Sequence, residues 1–315
     1  MIPAGEPQAQ RFPRFFCQAP RPIEVALLAL YLAQIVNSGL ALGAVYGLMA
    51  LGFSLIYSAS RLINFAQGEL LLLGGLGIAT LAGVTHLSPI LAVAAAALAG
   101  FLLGRILFAT TLGLTLRASP LRQLMLTVAA SLVFQGVAIL AWGKNPLMPP
   151  RLLPLPDIRL GPLFFGRDTV TALALALCAM AALGLFLNGT RLGRALRATA
   201  QNATAARLMG INPVLYHSLS FALAGALASL AALAVGPQTG LRYDMGLGLG
   251  LKGFAAATIG GYTSLSRVFL GGIALGLCEA ALVLFLSGEL KETATYALIV
   301  ILLVAAPAES EAERP

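Results

Sequence analysis

Apolar runs longer than a lipid bilayer is thick leave this chain few choices of fold. From Ile23 to Ala59 the run carries a single charge, Glu24 at its start, and its main polar interruptions are Gln34 and Asn37-Ser38-Gly39. About 20 apolar residues suffice to cross the hydrocarbon core as a helix, so this run contains a span with residues to spare. Comparable runs recur along the chain, rich in Leu, Ala, Val and Gly, without the alternating polar face of a barrel strand. In lipid every backbone N–H and C=O must be satisfied within the protein, and helices do this locally. Only 10% of the 315 residues are charged, against roughly a quarter in a soluble domain. The expected fold is an all-α polytopic membrane protein with about 8–10 transmembrane helices and broken or re-entrant Gly-rich segments.

Residues 1–22, Pro- and Arg-bearing, read as a disordered tail, 23–307 as the transmembrane domain with a cytoplasmic loop over 188–213, and 308–315 as a polar C-terminal tail. In the first run a short lead-in helix precedes a span from Leu40 to Tyr57. Gly39, Gly43 and Gly47 share one helix face there, a stripe that lets a neighbouring helix approach closely. Further spans are expected to Gly83, from Ser88-Pro89 to Ala109, and over Leu121–Trp142, Thr169–Leu187, Val214–Val235, Val268–Leu286 and Thr293–Ala306. Between them, Gly143 to Arg167 is rich in prolines, which cannot continue a helix, and reads as an external loop. Gly246 to Gly261 reads as a broken or re-entrant span. Whether the lead-in crosses the membrane, and so which side the N-terminus occupies, stays open.

One long polar interruption stands out, RLGRALRATAQNATAARLMGINP from Arg191 to Pro213, with four arginines and no acidic residue. It contains its own helix signals. Asn202 suits an N-cap, Ala203 to Met209 are good helix formers, and Gly210 sits where a left-handed terminal residue belongs. Asn212-Pro213 repeats the start signal for the next span. Two readings are open: a rigid knob presented to a partner, or a basic cytoplasmic loop that only fixes topology.

The formal charge of +8 does not point to nucleic acid, because the arginine-bearing loops lack interleaved aromatics on which bases could stack. Cys17, Cys178 and Cys278 are far apart, and His86 and His217 stand alone, so no metal or disulfide framework is expected. Gly248, Gly250 and Gly253 spell G-x-G-x-x-G, but inside an apolar run rather than after a strand, so no dinucleotide cofactor is inferred. No cofactor is expected at all. Lys252 and Glu279 lie inside apolar runs, where a charge is costly enough to suggest function. Together with Asn64, Gln67 and Glu69 they are the candidates for a translocation path. The polar break near Asn64–Glu69 and the Gly-rich Gly246–Gly261 form a possible pair in the two halves, a pattern that often marks a transport pathway.

The segment from Gln34 to Leu70 resembles the opening of bacterial high-affinity branched-chain amino acid ABC transporter permeases, and INFAQGE (Ile63–Glu69) is similar to their Ile-Asn-Phe-Ala-His-Gly-Asp signature. RATAQNATAARLMGIN (Arg197–Asn212) resembles their cytoplasmic coupling loop, and GLGLGLKGFAAATIGG (Gly246–Gly261) their late Gly-rich segment. Gln67 and Glu69 depart from the family's His and Asp. The resemblance implies an inner-membrane, multi-pass permease subunit, not an enzyme. It implies a heterodimer with a second permease, two cytoplasmic ATPase subunits and a periplasmic solute-binding protein. Asn202, Ala205, Ala206, Arg207, Met209 and Gly210 would form the ATPase-coupling element. The alternative is a stand-alone channel or facilitator for a small neutral solute such as urea, which would not need ATP.

Overall fold

The computed structural model describes residues 22–85, 87–115, 118–152, 157–160, 163–262, 264–285 and 288–305. Residues 1–21 of the expected N-terminal tail, the C-terminal tail and His86 lie outside the described residues, whereas Pro22 already begins the first helix. The elements are α1 (Pro22–Ser60), α2 (Gln67–Thr85), α3 (Pro89–Thr110), α4 (Pro120–Trp142), β1 (Ile158–Leu160), β2 (Leu163–Phe165), α5 (Arg167–Gly189), α6 (Arg191–Gln201), α7 (Ala203–Leu208), α8 (Pro213–Thr239), α9 (Met245–Gly260), α10 (Leu265–Phe285) and α11 (Gly288–Ala305). Among the described residues seven helices are long and apolar enough to cross a membrane, namely α1 to α5, α8 and α10; α9 and α11 add two shorter apolar stretches. The chain is an all-α, multi-pass membrane protein.

Small residues decide which helices touch. A Cβ on Gly43 would lie 2.7 Å from the Ile273 Cα, and one on Gly39 would lie 2.8 Å from the Leu277 Cα. From the other side, Gly272 meets the backbone at Gly47 and Gly276 meets Gly43. The expected stripe is therefore half of a reciprocal seam between antiparallel α1 and α10. A second antiparallel seam joins α3 to α8, where Gly100 and Gly104 abut Gly225 and Phe221. α1 and α8 form the buried centre, and α3, α4 and α5 turn broad apolar faces outward.

α2 and α4 run parallel and in fixed register. Phe65 N donates to Thr127 Oγ1 (3.3 Å), Ser131 Oγ to Glu69 Oε1 (3.4 Å), and Trp142 Nε1 to Thr80 Oγ1 (2.6 Å), each pair 62 residues apart. Ser131 lies midway along α4, so α2 begins at the mid-depth of the bundle after the loop of residues 61–66.

Several expectations change. The lead-in and the Leu40–Tyr57 span are one unbroken helix, α1. Asn37 is a contact rather than a break: its Oδ1 accepts from Gly166 N at 2.9 Å. α8 continues four residues beyond Val235 to Thr239, with Pro237 in its last turn and Gly240 ending it at φ +71°. The Gly-rich segment is one continuous helix, α9, without a break. It is glycine-rich because three neighbours crowd it: α2 at Gly246, α1 at Gly253 and α10 at Gly260. The Pro-rich segment carries the small β1–β2 hairpin, and Leu147 pairs with Leu241 as an isolated bridge. Arg191–Gln201 is a helix of its own, α6, which the basic composition concealed.

Candidate functional site

The five polar candidates of the bundle form two clusters on different sides of α9. The first sits where α2 and α9 both begin. Gly68 and Gly246 press backbone on backbone, and a Cβ on Gly246 would lie 2.6 Å from Glu69 Oε2. The polar break and the Gly-rich segment paired on sequence thus lie against each other. Asn64, Gln67 and Glu69 are all buried to 1% exposure or less. Asn64 Oδ1 accepts from Ala66 N (3.1 Å), and Gln67 Nε2 donates to the Ala224 carbonyl in α8 (3.0 Å). These two side chains tie down the start of α2. Glu69 receives only the Ser131 hydroxyl, and its Oε2 has no hydrogen-bond partner among the described residues.

Two residues not singled out on sequence complete this cluster, Thr127 through Phe65 N and Ser131 through Glu69. Gln123, Thr127 and Ser131 are the buried polar face of α4, a helix otherwise mostly exposed. Their four-residue spacing was the available signal, because i, i+4, i+8 residues share one helix face.

The second cluster is an ion pair at membrane depth. Lys252 Nζ (α9) lies 2.7 Å from Glu279 Oε1 (α10), and Tyr46 OH (α1) donates to Glu279 Oε2, also at 2.7 Å. The Lys252 ammonium also stands 5.6 Å from the centre of the Tyr46 ring. Two charges that would each be costly in lipid are thereby neutralised together. Lys252 also lines a pocket of about 600 Å³ with Arg242, Asp244, Met245, Glu292 and Tyr296. Cations, carboxylates and apolar side chains share that lining.

The basic projection is built as its local signals require. Thr190 caps α6, its hydroxyl oxygen accepting from Gly193 N at 2.9 Å. Asn202 Oδ1 accepts from Thr204 N (3.0 Å) and Ala205 N (2.9 Å), starting α7. At the other end Gly210 adopts φ +80°. Its N–H donates to the Arg207 carbonyl and that of Ile211 to the Ala206 carbonyl, both at 3.0 Å. This pairing satisfies terminal carbonyls and requires the left-handed glycine. Ala206 is buried and seats the helix, whereas Leu208 and Met209 are 85% and 82% exposed. Leu208 was not among the expected residues. Large apolar side chains held in the open at a rigid tip suit protein contact.

Charges paired inside apolar helices are a feature of membrane transport proteins. The comparisons make the class specific. The family described as branched-chain amino acid transport system / permease component matches residues 35–306. The high-affinity branched-chain amino acid transport system permease protein BraD of Pseudomonas aeruginosa is 30% identical over 304 residues, covering 88% of this chain and 94% of that protein. The corresponding permease protein LivH of Salmonella typhimurium is 30% identical over 296 residues with the same coverage. A chain of the solved structure of PsaBC from Streptococcus pneumoniae in complex with Fab shares the fold, with TM-score 0.51 and 16% identity over 90% of this chain and 96% of that one. The chain belongs to the permease components of branched-chain amino acid transport systems, the family its INFAQGE segment resembles, and is a transport subunit rather than an enzyme.

Proposed function

We propose that this chain is an inner-membrane permease subunit of an ATP-binding cassette importer for branched-chain amino acids or closely related amino acids and amides. It pairs with a second permease, two cytoplasmic ATPases engage the cytoplasmic side, and a periplasmic binding protein delivers the solute. The observation that carries this reading is the α6–α7 projection, whose capped helix holds Leu208 and Met209 in the open. In this reading Ala206 seats α7, and Asn202, Ala205, Arg207, Met209 and Gly210 form the surface that meets the ATPase. The transmembrane domain is 23–307, with the coupling loop at 188–213.

The solute's route passes by the two polar clusters. The joined starts of α2 and α9 present Glu69 at mid-depth, and helices that begin inside a bundle recur at solute sites of transporters. On the other side of α9, Lys252 and Glu279 stand beside the mixed-charge pocket. The chain's membership of a branched-chain amino acid family favours this reading over a channel for urea.

The test is a mild-detergent pull-down of tagged protein from its native membrane, combined with uptake assays. Recovery of an ATPase subunit and a second permease is expected, together with loss of both ATPase recovery and uptake in Gly210→Arg. Recovery of the chain alone, with passive flux through it in liposomes, would overturn the proposal.

A further inference from the structure

The same end of the bundle that carries α6 and α7 holds a second pocket, of about 560 Å³, that the transport reading does not use. It lies among the C-terminal ends of α1 and α5, the C-terminal half of α6, and the turn between α9 and α10. Two arginines line it, Arg61 and Arg197, with the amides of Asn188 and Gln201, and no acidic residue takes part. The rest of the lining includes leucines of α1, α5, α6 and α10.

The pocket is also where the backbone is strained. Among the described residues the non-glycine residues with positive φ are Arg61 at +56° and Tyr262 at +54°, and both line this pocket. Left-handed backbone in such residues persists only where the surroundings hold it, and it clusters at ligand sites. Here the restraints are visible. Ser54 and Ser58 both donate to the Tyr262 carbonyl, at 2.6 and 3.3 Å. The Tyr262 ring stacks on Tyr57 with centres 4.4 Å apart, and the Arg61 guanidinium lies 5.8 Å from the Tyr57 ring centre. Arg197 is steadied from the other wall, its Nη1 donating to Asn188 Oδ1 at 2.8 Å. One guanidinium is laid on an aromatic face and the other is tethered by an amide.

We propose that this pocket binds a phosphoryl group, supplied by the headgroup of an anionic phospholipid. Two guanidinium groups with amide donors and no competing carboxylate match a multi-oxygen anion. The leucines suit the glycerol and first methylenes of a lipid better than a free ion. Gln201 and Arg197 belong to α6, and Gln201 directly precedes the Asn202 cap of α7. A bound headgroup would therefore fix α6 against α1 and set the angle of the projecting α7. The transport reading enters only in naming the leaflet as cytoplasmic; the binding itself needs neither transport nor ATP.

The test is native mass spectrometry of the purified full-length chain, titrated with phosphatidylglycerol or phosphatidylcholine, with inorganic phosphate as competitor. The wild type is expected to retain one phosphatidylglycerol in preference to phosphatidylcholine. Arg61→Gln/Arg197→Gln should weaken that retention about thirty-fold, the effect of two lost charges near an anionic headgroup. Arg191→Gln/Arg194→Gln, which removes equal charge outside the pocket, should not. Arg61→Gly, which relieves the backbone strain while removing one guanidinium, gives a folded variant with an intermediate loss. If phosphate displaces the lipid, the phosphoryl group alone is recognised; if it does not, the lipid body contributes, and either result supports the site. Equal retention by the double variant and the wild type overturns the proposal. So does a double variant whose only change is loss of a co-purifying ATPase subunit, which would make the two arginines a protein contact.

Discussion

Glycine serves opposite purposes in the α1–α10 seam and in the α6–α7 projection. Gly43 and Gly276 matter for what they lack, since their missing Cβ atoms let two helix backbones touch. Gly210 matters for what it can adopt: it turns through φ +80°, and a Cβ there would meet nothing within 4 Å. The seam is held by long-range contact over its whole length, and a single methyl group is felt there. The projection is held by caps two to five residues apart and has room for almost any side chain. One region resists change because it is packed, and the other, in the proposed docking role, because its shape is presented to a partner.

The largest effect is expected at the seam. Gly43→Leu should abolish the folded state, because a side chain must displace the Ile273 backbone, and overpacking alone costs ~1–3 kcal/mol when only side chains move. Size-exclusion chromatography in detergent checks it, and a monodisperse, melting-competent variant would remove the contrast. Next comes Glu279→Gln, beside the seam. Leaving the Lys252 ammonium without its carboxylate should cost about 3 kcal/mol, and Lys252→Met/Glu279→Leu should recover much of it. Unfolding in micelles measures both.

At the projection the same kind of change should spare the fold. Gly210→Arg strains one left-handed residue by about 1–2 kcal/mol, so the thermal midpoint should move only slightly while uptake is lost. A variant that loses the fold along with uptake would put the projection in the same category as the seam. The mildest change, Asn202→Ala, removes one cap worth about 1 kcal/mol. It should lower ATPase coupling without abolishing it, and Asn202→Asp should restore it. Coupled ATPase rates in reconstituted vesicles read this out.

The projection was legible in advance for the reason that makes it tolerant. Asn202, Gly210 and Asn212-Pro213 act on neighbours within a few residues, so their order along the chain states their geometry. α6 escaped notice because its buried rhythm of Gly193, Leu196 and Thr199 lies among arginines and reads as a loop. The seam was legible by half: Gly39, Gly43 and Gly47 announced a close approach, yet Gly272 and Gly276 were needed to name the partner. Gln123, Thr127 and Ser131 spelled a polar face on α4 whose meaning depended on Glu69, 62 residues away. Asn37-Ser38-Gly39 looked like a break because polarity within an apolar run usually interrupts it. Asn37 instead reaches across to Gly166.

Apolar run lengths and short polar signals on their own determined a polytopic helical membrane protein, the approximate place of most spans, and a capped projection between two of them. These follow from bilayer thickness and from hydrogen bonds closed within one helical turn. Only the tertiary structure decided that α9 is continuous, that Lys252 and Glu279 neutralise one another, and that Glu69 lies against the start of α9. It alone gathered Arg61, Tyr262 and Arg197 around one pocket. Those outcomes depend on which helices pack together, and packing joins residues that the chain keeps tens to hundreds of positions apart.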